Sequence, residues 1–175
     1  MLIPLPFPFF AVAGLALSLY ALFVEYHDEL YPDAAPDSFT PLCDIEAIKA
    51  SCSNVFAMPE GHLLAFWGIV PKDSILNVPN AALGTVFYCT MLLHYLLVVS
   101  GPAARGNFST YLVKFMTVCA MSSSIWLASI LWRLRELCLL CISTHIVNSV
   151  ITYRVWNGEV VAKNNKYISN SKKRQ

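Results

Sequence analysis

Residues 138–156 read CLLCISTHIVNSVITYRVW: a CxxC motif opens an apolar segment that carries no charge before Arg154. A CxxC pair is either a redox couple or half of a zinc site. The sequence has no second CxxC and no Cys/His cluster at ligand spacing to complete a metal site. The motif therefore predicts a dithiol at the edge of a bilayer, where it can exchange electrons with a lipid-soluble molecule.

The rest of the chain is also apolar enough for a membrane protein. Of its 175 residues, 57% are hydrophobic and 13% are charged, and the charges are absent from long stretches. A helix needs about 20 mostly apolar residues to cross the hydrocarbon core. Lys114 fits inside the third span if its side chain extends to the interface. We predict an all-α membrane protein, a four-transmembrane-helix bundle, with helices at about 5–24, 81–100, 110–131 and 138–156.

The charges outside these helices are segregated. Most of the charged residues in the stretch 25–73 are acidic, whereas those of the C-terminal tail are mostly basic. The positive-inside rule places that tail in the cytoplasm, and four spans then place the N-terminus there too. Arg133 and Arg135, in the turn before the fourth helix, count against this orientation. The prediction is one membrane domain, 1–160, with a luminal lid, 26–80, followed by a basic cytoplasmic tail, 161–175.

The end of the tail bears on location. Lys172 and Lys173 stand at the fourth and third positions from the end, as in the dilysine retrieval signal of endoplasmic reticulum membrane proteins. The alternative is a basic flank that simply follows the positive-inside rule. We predict a multi-pass protein of the endoplasmic reticulum membrane with its active site near the luminal face.

The lid has three parts in the sequence. Its first part is rich in proline and is predicted to be extended or irregular. A short amphipathic helix is predicted to open at Cys43 and Asp44 and to end at Pro59 and Gly61, because apolar residues recur every three or four positions. That apolar face consists of Ile45, Ile48, Cys52 and Val55 or Phe56. The apolar run 63–70 is too short to span a bilayer, so we predict that it dips into the interface or caps the bundle.

The two CxxC cysteines share one helix face. Cys138 and Cys141 are three positions apart at a helix start, where free backbone N–H groups favour a thiolate. The predicted topology puts them on the oxidising side of the membrane, together with Cys43 and Cys52 of the lid. A static disulfide is the alternative to a redox couple, and the second pair on the lid favours the redox couple.

Cys43 and Cys52 bracket the predicted lid helix. Nine positions span about 13 Å along an ideal helix, whereas the Cα atoms of a bridged pair lie within about 7 Å. The two residues therefore cannot be bonded to each other while both lie in one continuous helix. Either the helix starts late or unwinds, or Cys52 pairs elsewhere, with Cys138 or Cys141 as its partner in a relay.

Together these features resemble the vitamin K epoxide reductase family. The resemblance lies in four predicted helices, a cysteine pair in the long first loop, a CxxC at the start of the fourth helix and several local motifs. It covers nearly the whole chain up to about residue 156. The motifs are Cys43-Asp44, CSNVF at 52–56, DSILNVPN at 73–80, Phe87-Tyr88 and CLLCIST at 138–144.

The resemblance implies an oxidoreductase that reduces vitamin K epoxide and vitamin K quinone to the hydroquinone. Cys141 would attack the bound substrate and Cys138 would resolve the adduct, which leaves a disulfide between them. Cys52 would reduce that disulfide, and Cys43 would receive electrons from a luminal thioredoxin-like partner in trans. The quinone is a substrate, and no permanently bound cofactor, no metal and no nucleic acid is expected.

The resemblance also implies a substrate pocket. Asn80 would donate a hydrogen bond to a substrate carbonyl oxygen, and Val55, Phe56 and Tyr88 would line the pocket. A flat, apolar naphthoquinone needs such walls and one or two buried donors. Without the resemblance, Asn80 fits equally well as a helix N-cap, and aromatic residues are more often part of a core. His145 stands where vertebrate members carry tyrosine, and its imidazole can donate a hydrogen bond or a proton to a quinone oxygen.

Two alternatives use the same cysteines. One is a thiol–quinone oxidoreductase that runs in the oxidising direction and supplies disulfides to luminal proteins. The other is a four-helix membrane scaffold whose loop disulfides are structural, and the CxxC motif and Asn80 argue against it. The sequence departs from the family pattern at 58–70 and by a lid cysteine spacing one residue longer. These departures bear on substrate choice and anticoagulant sensitivity rather than on the thiol relay.

Overall fold

Helices make up most of the described structure. A computed structural model describes residues 7–31, 39–45, 50–56, 58–100 and 107–157 of the chain. Within these residues the helices are α1 (Phe7–Leu30), α2 (Cys52–Phe56), α3 (Leu63–Phe66), α4 (Asn80–Ser100), α5 (Asn107–Leu134) and α6 (Leu139–Trp156), with a 3-10 turn at Pro59–Gly61. The predicted tail with Lys172 and Lys173, and Ile48 of the lid, lie outside the described residues.

Three helices contain segments that are long and apolar enough to cross a membrane. These segments are Phe7–His27, Asn80–Leu97 and Thr110–Leu134. They confirm the predicted class, an all-α membrane protein. The 18-residue helix α6 coincides with the fourth predicted span, but it carries polar side chains such as His145 and Asn148 and is not one of these three segments. Four spans therefore stay a prediction.

Helix α1 continues beyond the predicted end of the first span. The sequence places that end just before Glu25, the first charged residue, yet the helix runs on. A charge ends an apolar segment, but it leaves the backbone hydrogen bonds of a helix intact. The added turns hold the lid: the ring of His27 stacks on Phe39 at 4.2 Å, and Glu25 Oε1 lies 3.4 Å from Nε2 of His62.

The main core lies where α1, α4 and α6 meet. Tyr88 and Met91 of α4 and Ile151 of α6 are fully buried there. Gly14 of α1 faces Tyr88 so closely that a Cβ atom at this position would lie 2.2 Å from the tyrosine ring. The glycine therefore permits the close approach of α1 to α4.

A chain of hydrogen bonds crosses the bundle. The Tyr88 hydroxyl donates to Asn148 Oδ1 at 2.7 Å, and Asn148 Nδ2 donates to Ser124 Oγ at 2.9 Å. All three side chains are buried. Because a buried amide or hydroxyl without a partner is costly in free energy, these bonds fix the positions of α4, α5 and α6 along one another.

The lid helix begins later than the sequence predicts. The periodic pattern places its start at Cys43 and Asp44, but α2 begins at Cys52. Before α2 the chain folds back, and Ile45 and Ala50 pair in an antiparallel bridge with N···O distances of 2.8 and 3.1 Å. The prediction of a helix from residue 43 is therefore wrong, because pairing between separated residues replaces the local helical hydrogen bonds.

The apolar run after α2 contacts the side of the bundle. Phe66 and Trp67 lie against Trp126 of α5, with ring centroids 5.3 Å apart in each pair. Gly68 supplies the positive φ of 68° that the following turn requires. The lid is thus packed on α5 as well as fastened to the end of α1.

Gly14→Ala should lower the thermal stability of the purified protein in detergent. The new methyl group meets the ring of Tyr88, which cannot move aside because it is buried and hydrogen bonded to Asn148. We expect a loss of about 1–3 kcal/mol, as for other overpacked cores. Gly84→Ala is the matched control, because its Cβ meets mainly the Oγ of Ser18 at 2.8 Å, which can rotate away. Equal losses in the two variants would contradict a tight contact at Gly14.

Candidate active site

Cysteines of the lid and of the start of α6 meet in a second buried cluster. Cys43, Cys52 and Cys138 are each at most 5% exposed, and Cys141 packs against this cluster. The structure thus brings together the four cysteines that the sequence singles out, although Cys43 and Cys138 are far apart along the chain.

Cys43 and Cys52 form a disulfide, with their Cα atoms 5.8 Å apart. Spacing alone left open a late helix start or a different partner for Cys52. The structure has the late start, because the chain before α2 folds back instead of running on as a helix. Cys138 and Cys141 are free thiols.

Asp44 holds the disulfide loop against the start of α2. Its carboxylate accepts hydrogen bonds from the backbone N–H groups of Cys52 and Ser53 and from the Ser53 hydroxyl. Such N–H groups are left free at the first turn of any helix. Burial raises the pKa of Asp44, but the hydrogen bonds from Ser53 and Cys52 outweigh this effect and hold that pKa below its ordinary value. Asp44 is therefore ionised at neutral pH.

A backbone pairing sets Cys52 beside Cys138. Ala50 and Leu137 form a parallel bridge, and the amide of Ser51 donates to the carbonyl of Leu137 at 2.9 Å. Cys52 follows Ser51 in the chain, and Cys138 follows Leu137. The Sγ atoms of Cys52 and Cys138 consequently lie 3.5 Å apart.

Cys138 is the N-cap residue of α6. Its backbone is extended, and its sulfur accepts a hydrogen bond from the amide of Cys141 at 3.3 Å. Backbone N–H groups at a helix N-terminus stabilise a thiolate. Thiol–disulfide exchange begins when a thiolate attacks a disulfide sulfur. Cys138 has both the stabilising donor and the neighbouring disulfide sulfur of Cys52, so the site can exchange disulfides between the lid and α6.

A cavity of about 480 Å³ opens beside Cys138, between α5 and α6. Its volume lies within the usual range for small-molecule sites, and such sites are mostly apolar. The lining includes Ala128, Leu131 and Trp132 of α5 and Cys138, Ile142 and His145 at the start of α6. A flat apolar molecule in this cavity would lie next to a reactive sulfur.

His145 adds an imidazole to this cavity, which Arg135 and Glu136 also line. Both of its ring nitrogens are buried, and neither has a hydrogen-bond partner among the described residues. An unpaired buried polar group is costly, and an imidazole offers a donor to a ligand oxygen. Contact between His145 and a substrate stays a prediction: the residue lines the cavity, and the contact needs one of its buried ring nitrogens to turn into it.

Asn80 is engaged with the lid. Its Oδ1 accepts from the amide of Leu63 at 2.9 Å, and its Nδ2 donates to the carbonyl of Glu60 at 2.7 Å. Asn80 is the first residue of α4, but its side chain caps the start of α3. The predicted hydrogen bond from Asn80 to a substrate stays a prediction.

The predicted pocket walls lie in two places. Val55 and Phe56 of α2 pack against the cysteine cluster. Tyr88 lies in the main core, and its hydroxyl is bonded to Asn148. Their contacts with a substrate stay predictions.

Two residues that position the disulfide loop were missed by the sequence reasoning. Asp44 acts on an amide eight positions away, and no periodic pattern signals such a cap. The hydroxyl of Tyr20, in α1, accepts from the amide of Leu42 at 2.9 Å and so anchors the residue before Cys43. The available signal for Tyr20 is its hydroxyl within an apolar span, because buried tyrosine hydroxyls usually find a partner.

The disulfide loop also contains residue types that bind metals. The sulfurs of Cys43 and Cys52 and a carboxylate oxygen of Asp44 lie within 4.8 Å of one another. Thiolates are the form of cysteine that binds metals, and both sulfurs are bonded to each other here. In this form the loop is a disulfide site.

Comparison with known proteins agrees with the sequence motifs. The model of the vitamin K epoxide reductase family matches residues 5–156. The chain is 34% identical over 142 residues to vitamin K epoxide reductase complex subunit 1 of Mus musculus, with 78% of each chain covered. It is 34% identical over 140 residues to the protein of the same name from Rattus norvegicus, with 79% of each covered. The chain therefore belongs to the vitamin K epoxide reductase family and is an oxidoreductase of that type.

Proposed function

We propose that this chain reduces a vitamin K-type quinone and its epoxide at the CxxC pair, with electrons supplied by the lid cysteines. The observation that carries the proposal is the 3.5 Å contact between the Sγ atoms of Cys52 and Cys138. A disulfide that only stabilised the lid would not need a buried free thiol against it. The contact therefore favours a relay over a membrane scaffold.

The substrate step uses both thiols of the CxxC pair. With a quinone, two electrons and two protons pass from Cys138 and Cys141 to the carbonyl oxygens, which gives the hydroquinone and a Cys138–Cys141 disulfide. With the epoxide, the same two electrons and protons remove the epoxide oxygen as water. Since Cys138 is the sulfur next to the lid, we assign the attack on the substrate to Cys141 and the resolution of the adduct to Cys138.

The lid pair regenerates the thiols. The Cys52 thiolate attacks Cys138, so that a Cys52–Cys138 bond forms and Cys141 leaves and takes up a proton. Cys43 then attacks Cys52, which releases Cys138 as a thiol and leaves the Cys43–Cys52 disulfide. A thioredoxin-like dithiol protein reduces that disulfide in trans. A lid disulfide with free CxxC thiols is the distribution that this transfer leaves.

The cavity beside Cys138 is the proposed quinone site. Cys141 is not among its lining residues, so the proposed attack needs the Cys141 side chain to turn toward the cavity. Trp132 and Ile142 offer apolar surfaces to a flat ring, and His145 donates a hydrogen bond to one of its oxygens. Charge that develops on a quinone oxygen during reduction is stabilised by a donor in a dry site. Val55 and Phe56 pack against the neighbouring cysteine cluster.

We also propose a four-span topology in the endoplasmic reticulum membrane, with α6 as the fourth span and both termini in the cytoplasm. The cysteine cluster touches α1 and α5 late in each helix, at Ala21 and Leu131, and α4 and α6 early, at Ala81 and Leu140. The four helices therefore run alternately up and down, as consecutive spans do. A luminal position suits the disulfide, because disulfides persist in oxidising compartments.

A chain that keeps only two of the four site cysteines tests the handover. In Cys43→Ala/Cys141→Ala, we expect most of the mildly oxidised protein to carry a Cys52–Cys138 disulfide, because these sulfurs are already in contact. Non-reducing peptide mass spectrometry identifies the bond. In the control Cys52→Ala/Cys141→Ala, Cys43 should not bond to Cys138. Free Cys52 and Cys138 in the first variant would contradict the handover.

Activity measurements test the roles of the cysteines. With dithiothreitol as reductant, Cys141→Ala and Cys138→Ala should lose turnover of vitamin K epoxide and vitamin K quinone. Cys43→Ala should keep it, because a small dithiol reduces the CxxC pair directly. Cys119→Ala, which removes an exposed free cysteine of α5, is the control and should be unchanged. Full activity in Cys141→Ala would rule out the proposed attack.

Variants of His145 test the proposed hydrogen bond to the substrate. His145→Phe removes the donor and should lower kcat with vitamin K quinone on the order of 100-fold, as for other lost oxyanion donors. His145→Tyr keeps a hydroxyl donor and should stay within about tenfold of the unsubstituted chain. Steady-state kcat and KM on purified protein decide between them. An unchanged kcat in His145→Phe would mean that His145 does not contact the reacting oxygen.

A further inference from the structure

The Asp44 carboxylate lies against both sulfurs of the lid disulfide. One of its oxygens and the Sγ atoms of Cys43 and Cys52 are all within 4.8 Å of one another. The same carboxylate accepts hydrogen bonds from the amides of Cys52 and Ser53, at the first turn of α2. Hydrogen bonds from these amides and from the Ser53 hydroxyl hold the pKa of Asp44 below its ordinary value, although burial raises it, so the charge is present at neutral pH.

This charge acts on the two redox states of the lid pair differently. The disulfide is neutral and is little affected by a nearby carboxylate. A thiolate at Cys43 or Cys52 is disfavoured, because like charges within about 4–6 Å repel. The carboxylate therefore destabilises the reduced lid pair relative to its disulfide.

The CxxC pair has different surroundings. The Asp44 charge also disfavours a thiolate at Cys138, but by less than the backbone hydrogen bond from Cys141 favours it. Cys138 caps α6, a helix of 18 residues, and its sulfur accepts a hydrogen bond from the amide of Cys141. A donor of this kind stabilises a thiolate and hence the reduced pair. A stabilised reduced form makes a disulfide more oxidising. The two cysteine pairs are in contact, and their environments move their reduction potentials apart.

We propose that Asp44 is a positioning residue that keeps the lid pair at a lower reduction potential than the CxxC pair, so that electrons pass from the lid to Cys138. The proposal rests on the relay described above. The exchange is balanced within the chain: the thiols of Cys43 and Cys52 and a Cys138–Cys141 disulfide become a Cys43–Cys52 disulfide and two thiols. Two electrons and two protons move, and no outside oxidant is needed for this step.

The test isolates the lid pair in the full chain. In a Cys138→Ala/Cys141→Ala background in detergent, the Cys43–Cys52 disulfide is equilibrated with reduced and oxidised glutathione at pH 9, where thiols of ordinary pKa are mostly ionised, and the fraction reduced is read by alkylation and mass spectrometry. Asp44→Asn keeps an oxygen acceptor for the Cys52 amide and removes the charge. We expect it to shift the equilibrium roughly fivefold toward the dithiol, or about 20 mV for a two-electron couple.

Two controls separate the charge from a structural effect. Ser53→Ala removes a hydrogen bond to the same carboxylate and keeps its charge, so its equilibrium should stay within about twofold of the background. The effect of Asp44→Asn should shrink at pH 6, where thiols are protonated in either chain. An unchanged equilibrium in Asp44→Asn, a shift of the same size in Ser53→Ala, or a shift that does not depend on pH would overturn the proposal.

A measurement on the chain that keeps Asp44 provides a test even if the Asp44→Asn variant fails to fold. In the same background with the lid pair reduced, the rate of iodoacetamide alkylation against pH gives the pKa of each thiol. Both should lie above the ordinary cysteine value of about 8.5. A value below it for either thiol would also overturn the proposal. None of these measurements involves a quinone, so their outcome is independent of whether the chain turns over vitamin K.

Discussion

The backbone pairing between the lid and the residue before Cys138 is the constraint on which the rest of the site depends. Cys52 and Cys138 are 86 positions apart in the chain, and a sulfur–sulfur contact is too weak to hold them together. Fixing each residue of a loop costs about 1–2 kcal/mol of backbone entropy. Three contacts restrain the same short segment and together offset this entropy cost. They are the hydrogen bond from the Ser51 amide to the Leu137 carbonyl, the Asp44 cap and the lid disulfide.

The bundle supplies the fixed reference for that pairing. Asn148 lies seven positions beyond Cys141 on α6, about two turns away, and both ends of its amide are bonded to neighbouring helices. A slip of α6 along its axis would leave that amide unpaired in an apolar core and would also draw Cys138 away from Cys52. The free-energy cost of leaving the Asn148 amide unpaired therefore helps to keep Cys138 beside Cys52. Gly14 contributes by letting α1 lie against the Tyr88 ring that holds Asn148.

The helices could be predicted from the sequence far better than the lid could. A bilayer demands length and apolarity, and these can be read one residue at a time, so charge-free stretches located the long helices to within about two turns. The CxxC motif was also placed correctly at the start of α6. The prediction for the lid is wrong where contacts between distant residues determine the backbone conformation. The apolar period from Ile45 to Phe56 is real, yet the Ile45–Ala50 bridge and the Asp44 cap determine where α2 begins.

Asn80 illustrates why a side-chain role is harder to infer than a helix. The sequence offered two roles, a cap on its own helix or a donor to a substrate, and the structure has it capping α3 through Leu63 and holding the carbonyl of Glu60. A substrate oxygen that takes the Asn80 donor must therefore compete with the lid backbone. His145 has no partner to give up among the described residues, so it can bond a ligand while the lid stays fastened. The two polar residues thus differ in cost: engagement of Asn80 loosens the lid, whereas engagement of His145 leaves the lid in place.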